Sequence, residues 1–352
     1  MNWGPVNSDP SVHDSGAGRA ARPWWQVARR RFSLIGFALC ALLLVWLGLQ
    51  VLIAALLRMQ GVNTGAMPTW LQLIAGNGPL YALAMPIAVL LMRAVPRIPT
   101  RKFPLGVGRF FILLIICMPI MYLGSLIGSM LSAVLSGGTA DNPIQELATN
   151  ADPLTVLVFM VLVAPVFEEW VFRKELIDRL RRYGEVPAML VSAAAFGLFH
   201  LNLFQFFYAF GLGLVFAYVY LRTSRLRYTI LMHMIINFNG GFLAPRILSL
   251  LDAKTLQALE SGSLQESERL LAQATPGLLA VGLYGLAILA LIIVGIVLLI
   301  TMRRRIVWYR TPEELPRGTR LRIVLGNPGI IGYVVLCLAV TAVTMGVIGL
   351  RG

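Results

Sequence analysis

Residues 154–173 read LTVLVFMVLVAPVFEEWVFR. The first 14 of them carry no charge, and then Glu168, Glu169 and Arg173 arrive within six positions. An apolar run of this kind is held in lipid as a helix, because a helix satisfies its own backbone N–H and C=O groups where no water can. Carboxylates at its end are costly in that setting. Working outward, the whole chain agrees with this stretch. It has 352 residues, 58% hydrophobic and only 13% charged, with a mean hydropathy of +0.77. A soluble domain carries about 25% charged residues, so both an ordinary cytosolic enzyme and a disordered chain are excluded. The expected class is all-α, a polytopic transmembrane helix bundle.

Apolar windows place spans at 32–57, 71–92, 110–135, 154–172, 187–202, 204–221, 228–248, 277–301 and 329–350. That is about nine, or eight if 187–221 is one bent element across Leu201-Asn202-Leu203. Residues 1–22 read as a disordered cytoplasmic tail and 23–150 as N-terminal membrane spans. Residues 151–245 hold the candidate catalytic core, and 246–352 a loop and C-terminal spans. The net charge of +14 comes from 30 Lys and Arg against 16 Asp and Glu. With the N-terminus cytoplasmic and nine spans, 25 of the basic residues fall in inside segments and 5 (Arg58, Arg246, Lys254, Arg269, Arg351) outside. Short cytoplasmic loops attract Lys and Arg in this way; the C-terminus is then outside. Removing the 201–203 turn inverts every later loop and spoils the asymmetry. The charge thus reports orientation, and no nucleic-acid partner is expected, since the basic runs lack interleaved aromatics. Arg303-Arg304-Arg305 reads as a stop-transfer anchor first and an anionic-lipid contact second. Cys40, Cys117 and Cys337 are scattered through apolar runs and form no disulfide or metal framework. Gly124-Ser125-x-x-Gly128-Ser129 offers a small-residue face for close helix contact.

Polar groups inside the spans are few. Besides Glu168, Glu169 and Arg173, they are His200, in Phe196-x-x-x-His200, and His233 with Asn237. The third histidine, His13, lies in the tail. Glu169 and Arg173 have the i,i+4 order that favours an ion pair, and His233 and Asn237 share one helix face. Glu168 is rotated about 100° from Glu169 and takes different partners. On this reading Arg173 keeps Glu169 ionised, Glu168 takes a proton from water, and His200 aligns that water. His233 and Asn237 then donate to a developing oxyanion. If the helix ends at Phe172, Glu168 is about 6 Å from the cytoplasmic boundary, and the site converges better if the helix continues through Lys174–Leu180. The expected cavity opens to the cytoplasm. The competing structural roles are a juxtamembrane ion pair, a packed core histidine and interhelical hydrogen bonding by His233 and Asn237. Pro165 is either a tolerated kink or an opening beside the site.

Glu168-Glu169-x-x-x-Arg173, Phe196-x-x-x-His200 and His233-x-x-x-Asn237, in that order over about 155–242, resemble the CPBP family. These are the type II CAAX prenyl endopeptidases and the bacteriocin-processing or immunity proteins, also called Abi. The resemblance implies an intramembrane endopeptidase in an all-helical bundle, in a bacterial inner membrane. It assigns Glu168 and His200 to water activation, His233 and Asn237 to the oxyanion, and Glu169 and Arg173 to support. It leaves two chemistries open: a metal-free glutamate mechanism, favoured because H-E-x-x-H is absent, and a divalent metal on Glu168, His200 and His233. No cofactor is expected on the first. The partners implied are membrane lipids and a peptide or membrane-protein substrate, prenylated or not. A non-catalytic scaffold or immunity protein of the same family and a proton-coupled transporter are the competing functions; a transporter's relay needs access from both membrane faces.

Overall fold

The computed structural model describes residues 23–143, 145, 147, 151–252, 255 and 275–346. The expected disordered tail with His13, and the loop and terminal positions Glu146, Lys254, Glu260, Glu266, Glu268, Arg269 and Arg351, lie outside the described residues. Every regular element among the described residues is helical. The main ones are α1 (Trp24–Met59), α2 (Thr69–Met92), α3 (Val107–Ser136), α4 (Pro153–Tyr183), α5 (Glu185–Phe199) and α6 (Leu203–Thr223). They are followed by α7 (226–248), α8 (Pro276–Met302), the short α9 (Arg320–Val324) and α10 (Pro328–Thr344). Six helices (α1, α2, α3, α4, α6 and α8) are long and apolar enough to cross a membrane, while α5 and α10 are apolar but shorter. The outer faces are apolar as well: Leu279, Leu283, Leu286 and Ile293 of α8 are all exposed, as lipid-facing residues are. The protein is a polytopic, all-helical integral membrane protein.

Helix α4 runs through Tyr183, eleven residues beyond the expected end at Phe172. Residues 187–221 are two helices. His200 closes α5, Leu201 takes a left-handed φ of 55°, and the Asn202 side chain accepts the Gln205 N–H at 2.9 Å to start α6. The two helices run antiparallel: Gly197 meets Phe206 and Phe210, while Gly213 meets Ala193. The small-residue face of α3 does what its spacing suggests. A Cβ on Gly124 would lie 2.6 Å from the Tyr208 backbone, and one on Gly128 2.4 Å from the Leu203 carbonyl, so α3 and α6 touch along their backbones. Cys117 and Cys337 are buried, Cys40 is half-buried, and all are free.

Three helices widen into π turns at Leu80–Ala84, Val156–Val163 and Phe238–Leu243. Each ends two residues before a proline: Pro86, Pro165 and Pro245. Proline has no N–H and its ring crowds the carbonyl four residues back, so the preceding turn opens. A fourth π turn, Trp170–Glu175, has no proline. There the Trp170 indole donates to Glu175 at 3.0 Å across five residues, the separation at which a π turn stacks side chains.

Two main apolar cores result, with a small third one of Ile177, Ala217, Tyr220 and Leu221 between α4 and α6. Of the main two, one joins α1, α2, α5, α10 and the second half of α4; the other joins α3, α6, α7 and α8. One end of the bundle gathers the basic loops, tied by backbone hydrogen bonds from Ile98 to Asp178, Phe103 to Thr223, Glu313 to Arg182 and Leu315 to Tyr183.

Candidate active site

The seam between the two main cores is where the charged residues meet. Glu168 lies fifteen residues from either end of α4, roughly 22 Å deep at 1.5 Å per residue. His200 directly follows the fifteen residues of α5, which sets it at a similar level, roughly 22 Å from the same end. The extra length of α4 therefore removes the mismatch in depth that a helix ending at Phe172 creates.

Glu169 is fully buried and doubly held. Arg173 Nε stands 3.1 Å from Oε2, an ion pair too bent to be a hydrogen bond, and His233 Nδ1 lies 3.1 Å from Oε1. Thr229, one turn before His233 and fully buried, also reaches Glu169. Arg173 has no solvent exposure either. Its Nη1 donates to the Ser192 hydroxyl at 3.0 Å, which donates to the Phe172 carbonyl at 2.7 Å. The guanidinium lies 4.6 Å from the centre of the Phe196 ring and 5.8 Å from that of Phe216. Its Nη2, without a hydrogen bond, is thus accommodated against an aromatic face. Phe196 belongs to one core and Phe216 to the other, so Arg173 joins them.

Glu168 is built differently. No hydrogen bond from the protein reaches it among the described residues, and its carboxylate keeps a small accessible area. Its nearest ionisable partner is His233 Nε2 at 3.7 Å, a gap too long for a direct hydrogen bond and one that a water can bridge. His233 is therefore set between two carboxylates, with Nδ1 on Glu169 and Nε2 toward Glu168. Tyr81, stacked on Phe167 at 4.8 Å, and Tyr208 lie within electrostatic reach of Glu168.

His200 Nδ1 is 2.9 Å from the Phe196 carbonyl. A carbonyl only accepts, so Nδ1 carries the hydrogen and Nε2 presents a lone pair. Both imidazoles pack edge-on against Phe196, with centroids 4.9 Å (His200) and 5.6 Å (His233) away. Asn237 is engaged elsewhere: Nδ2 donates to the Met160 carbonyl at 2.9 Å. The reason lies in Pro165. In the π turn Ala164 N–H bonds to Phe159, five residues back. The next nitrogen is that of Pro165, which has no hydrogen, so Met160 loses its backbone donor and Asn237 supplies one.

The structure thus brings Glu168, Glu169, Arg173 and His233 into one cluster, puts His200 on the same aromatic ring, and commits one Asn237 N–H to the α4 backbone. Ser192, Phe216, Thr229 and Tyr81 were not legible as members of the site. For Thr229 a signal exists, since it sits one turn before His233 on the same face. Among the described residues no group of three His, Cys, Asp or Glu side chains is disposed to hold a metal ion.

Residues 150–239 match the family model described as type II CAAX prenyl endopeptidase Rce1-like. The membrane-embedded CAAX protease MroQ of Staphylococcus aureus (strain USA300) is 29% identical over 147 residues, 39% of this chain and 57% of that protein. The membrane peptidase YdiL of Bacillus subtilis (strain 168) is 33% identical over 89 residues, 25% of this chain and 36% of that protein. The match spans about half the length of the first relative and about a third of the second. No solved structure matches the chain. Over residues 150–239, then, this chain is Rce1-like in sequence, and the three motifs that carry its resemblance to the CPBP family all fall inside that stretch.

Proposed function

We propose that the protein is an intramembrane endopeptidase that hydrolyses a peptide bond of a membrane-associated substrate, prenylated or not, by a water activated between Glu168 and His200. The observation that carries this reading is the division of labour between the two glutamates: Glu169 is neutralised by Arg173 and His233, while Glu168 is free of protein hydrogen bonds and reaches accessible space. In the proposed reaction the Glu168 carboxylate takes a proton from water, whose orientation the Nε2 lone pair of His200 assists. The water oxygen bonds to the scissile carbon and the carbonyl electrons move to oxygen. Doubly protonated His233, keeping its Nδ1–H on Glu169, donates its Nε2–H to that oxyanion, and the second N–H of Asn237 donates beside it. Collapse expels the amine, which receives the proton from Glu168. Glu169 and Arg173 are positioning residues. No step is routed through a metal, because the donor side chains do not group as ligands.

The relatives' names as a CAAX protease and a membrane peptidase support the reaction class. Their bacterial sources support a bacterial cell membrane, which is the inner membrane where a cell has two, and the clustering of basic loops at one end supports an orientation with that end and the N-terminus in the cytoplasm and the C-terminus outside. The test is cleavage of a membrane-anchored reporter peptide by purified protein in lipid nanodiscs, wild type against Glu168→Gln and His200→Ala. Loss of cleavage in both, with retained folding, is expected. Full activity of Glu168→Gln sinks the proposal.

A further inference from the structure

The basic end of the bundle holds a cavity lined by charge. With a volume of about 730 Å³, it lies between the 98–105 segment, the start of α3, the ends of α6 and α8 and the α4–α5 junction. Six arginines line it: Arg101, Arg109, Arg181, Arg222, Arg305 and Arg310. The one carboxylate among the lining residues is Glu185, buried and already paired with Arg222 and, at 3.6 Å, with Arg181. Glu185 also accepts the Tyr309 N–H at 2.9 Å. Arg101, Arg109, Arg305 and Arg310 make no hydrogen bond or ion pair among the described residues, so the cavity has a surplus of positive charge from two separate chain segments. Arg222 sharpens the point. Its guanidinium sits 4.6 Å from the centre of the Tyr309 ring and is held there by Glu185, so it lends the cavity an ordered donor plane. Gathering charges of one sign around a cleft focuses its field and raises the local concentration of an anion. The planar donor fork of arginine matches phosphate oxygens in particular.

Part of the lining is apolar. Phe103, Leu105, Ile112, Leu113 and Met302 supply it, and α3 leads from Arg109 into the span. We propose that this cavity binds a phosphate group, presented by the headgroup of an anionic phospholipid whose acyl chains lie along α3 and α8. A basic cluster at the membrane surface with an apolar wall running into the bilayer fits both parts of such a lipid.

The test uses full-length protein in detergent and native mass spectrometry, with phosphatidylglycerol and phosphatidylcholine as probes and inorganic phosphate as competitor. Wild-type protein should retain phosphatidylglycerol at least tenfold better than phosphatidylcholine. Arg109→Gln/Arg310→Gln, which removes two exposed arginines with no protein partner, should abolish that preference at an unchanged melting temperature. Arg222→Gln should weaken it too, but that variant also strips Glu185 of a partner, so the double variant decides. Displacement of phosphatidylglycerol by millimolar phosphate shows that the phosphate group is what is recognised, whereas resistance to it assigns the hold to headgroup and chains together. Equal retention of both lipids by wild type, or an unaltered preference in the double variant, overturns the proposal. The readout is binding alone, so it stands or falls independently of any peptidase assay.

Discussion

Glu168 and Glu169 are chemically identical neighbours given opposite tasks by what surrounds them. Glu168→Gln keeps volume and shape and breaks no protein hydrogen bond, so the protein should fold as wild type while hydrolysis falls by roughly 10²–10⁴-fold, the usual contribution of a positioned general base. Size-exclusion profile and melting temperature check the first half, and reporter cleavage the second. Arg173→Met should behave in the reverse way. It leaves Glu169 buried with only His233 for compensation, and breaking a buried pair on one side costs about 3–5 kcal/mol. A lower melting temperature and poor membrane expression are expected. Removing both partners, in Glu169→Gln/Arg173→Met, should recover much of that stability without restoring activity, because a neutral amide oxygen no longer gives the imidazole of His233 a charged acceptor. If the double variant is no more stable than Arg173→Met, the ion pair is not the origin of the loss. At this scale the sequence was highly legible: an acid pair, an arginine four residues on and two histidines in apolar runs stand out because charge is scarce. Phe196 stands out only as a motif position, and the motif does not announce that its ring forms the wall shared by Arg173 and both imidazoles.

Elements are where the local backbone departs from the simple helices that periodicity suggests. Pro165 reads from sequence as a kink or as an opening beside the site. The structure turns it into a widened turn whose unpaired Met160 carbonyl recruits Asn237 from α7. Asn237→Ala should therefore destabilise the protein by about 1–3 kcal/mol, the range for a buried acceptor left unmade. In a Pro165→Ala background a backbone N–H returns to position 165 and can serve Met160, so the same Asn237→Ala change should cost clearly less. Thermal unfolding of the four members of this cycle measures the coupling; additive costs dismiss the link between Pro165 and Asn237. The start of the same helix offers a smaller check outside the membrane. Asp152 caps α4, accepting the Thr155 N–H at 2.9 Å and its hydroxyl, and these bonds hold its carboxyl below the usual range. Because the folded-state value is depressed, the cap is fully present above the ordinary carboxylate range and is lost as pH falls through the lowered one. Asp152→Asn keeps an accepting oxygen and should make the melting temperature less sensitive to acidification than in wild type.

Across the whole molecule the arrangement of charge has two layers, and the sequence showed only the upper one. Counting Lys and Arg by loop treats residues 173–182 as a basic cytoplasmic segment. In the structure Arg173 and Arg179 are almost wholly buried, and Arg179 pairs with Glu175 at 2.7 Å while Arg97 reaches the same carboxylate. Asp178 accepts from the Tyr220 hydroxyl at 3.1 Å, and Glu185 joins Arg181 and Arg222. The acids Glu175, Asp178 and Glu185 thus lie within or against the bundle as well, so Glu168 and Glu169 are not the only buried carboxylates. A one-dimensional count cannot separate a solvated loop charge from one folded against its partner. The sign of the asymmetry survives this correction, because Arg101, Lys102, Arg303 and Arg304 are exposed at the same end as those networks. Orientation then rests on the exposed members, and a membrane-impermeant maleimide reads it directly. Lys102→Cys at the basic end and Thr139→Cys in the exposed turn after α3 place reporters at opposite ends of α3, in a protein whose own cysteines are buried or half-buried. In intact cells Thr139→Cys should label and Lys102→Cys should label only after permeabilisation. The reverse pattern would turn the molecule over, moving the arginine-lined cavity to the outer face.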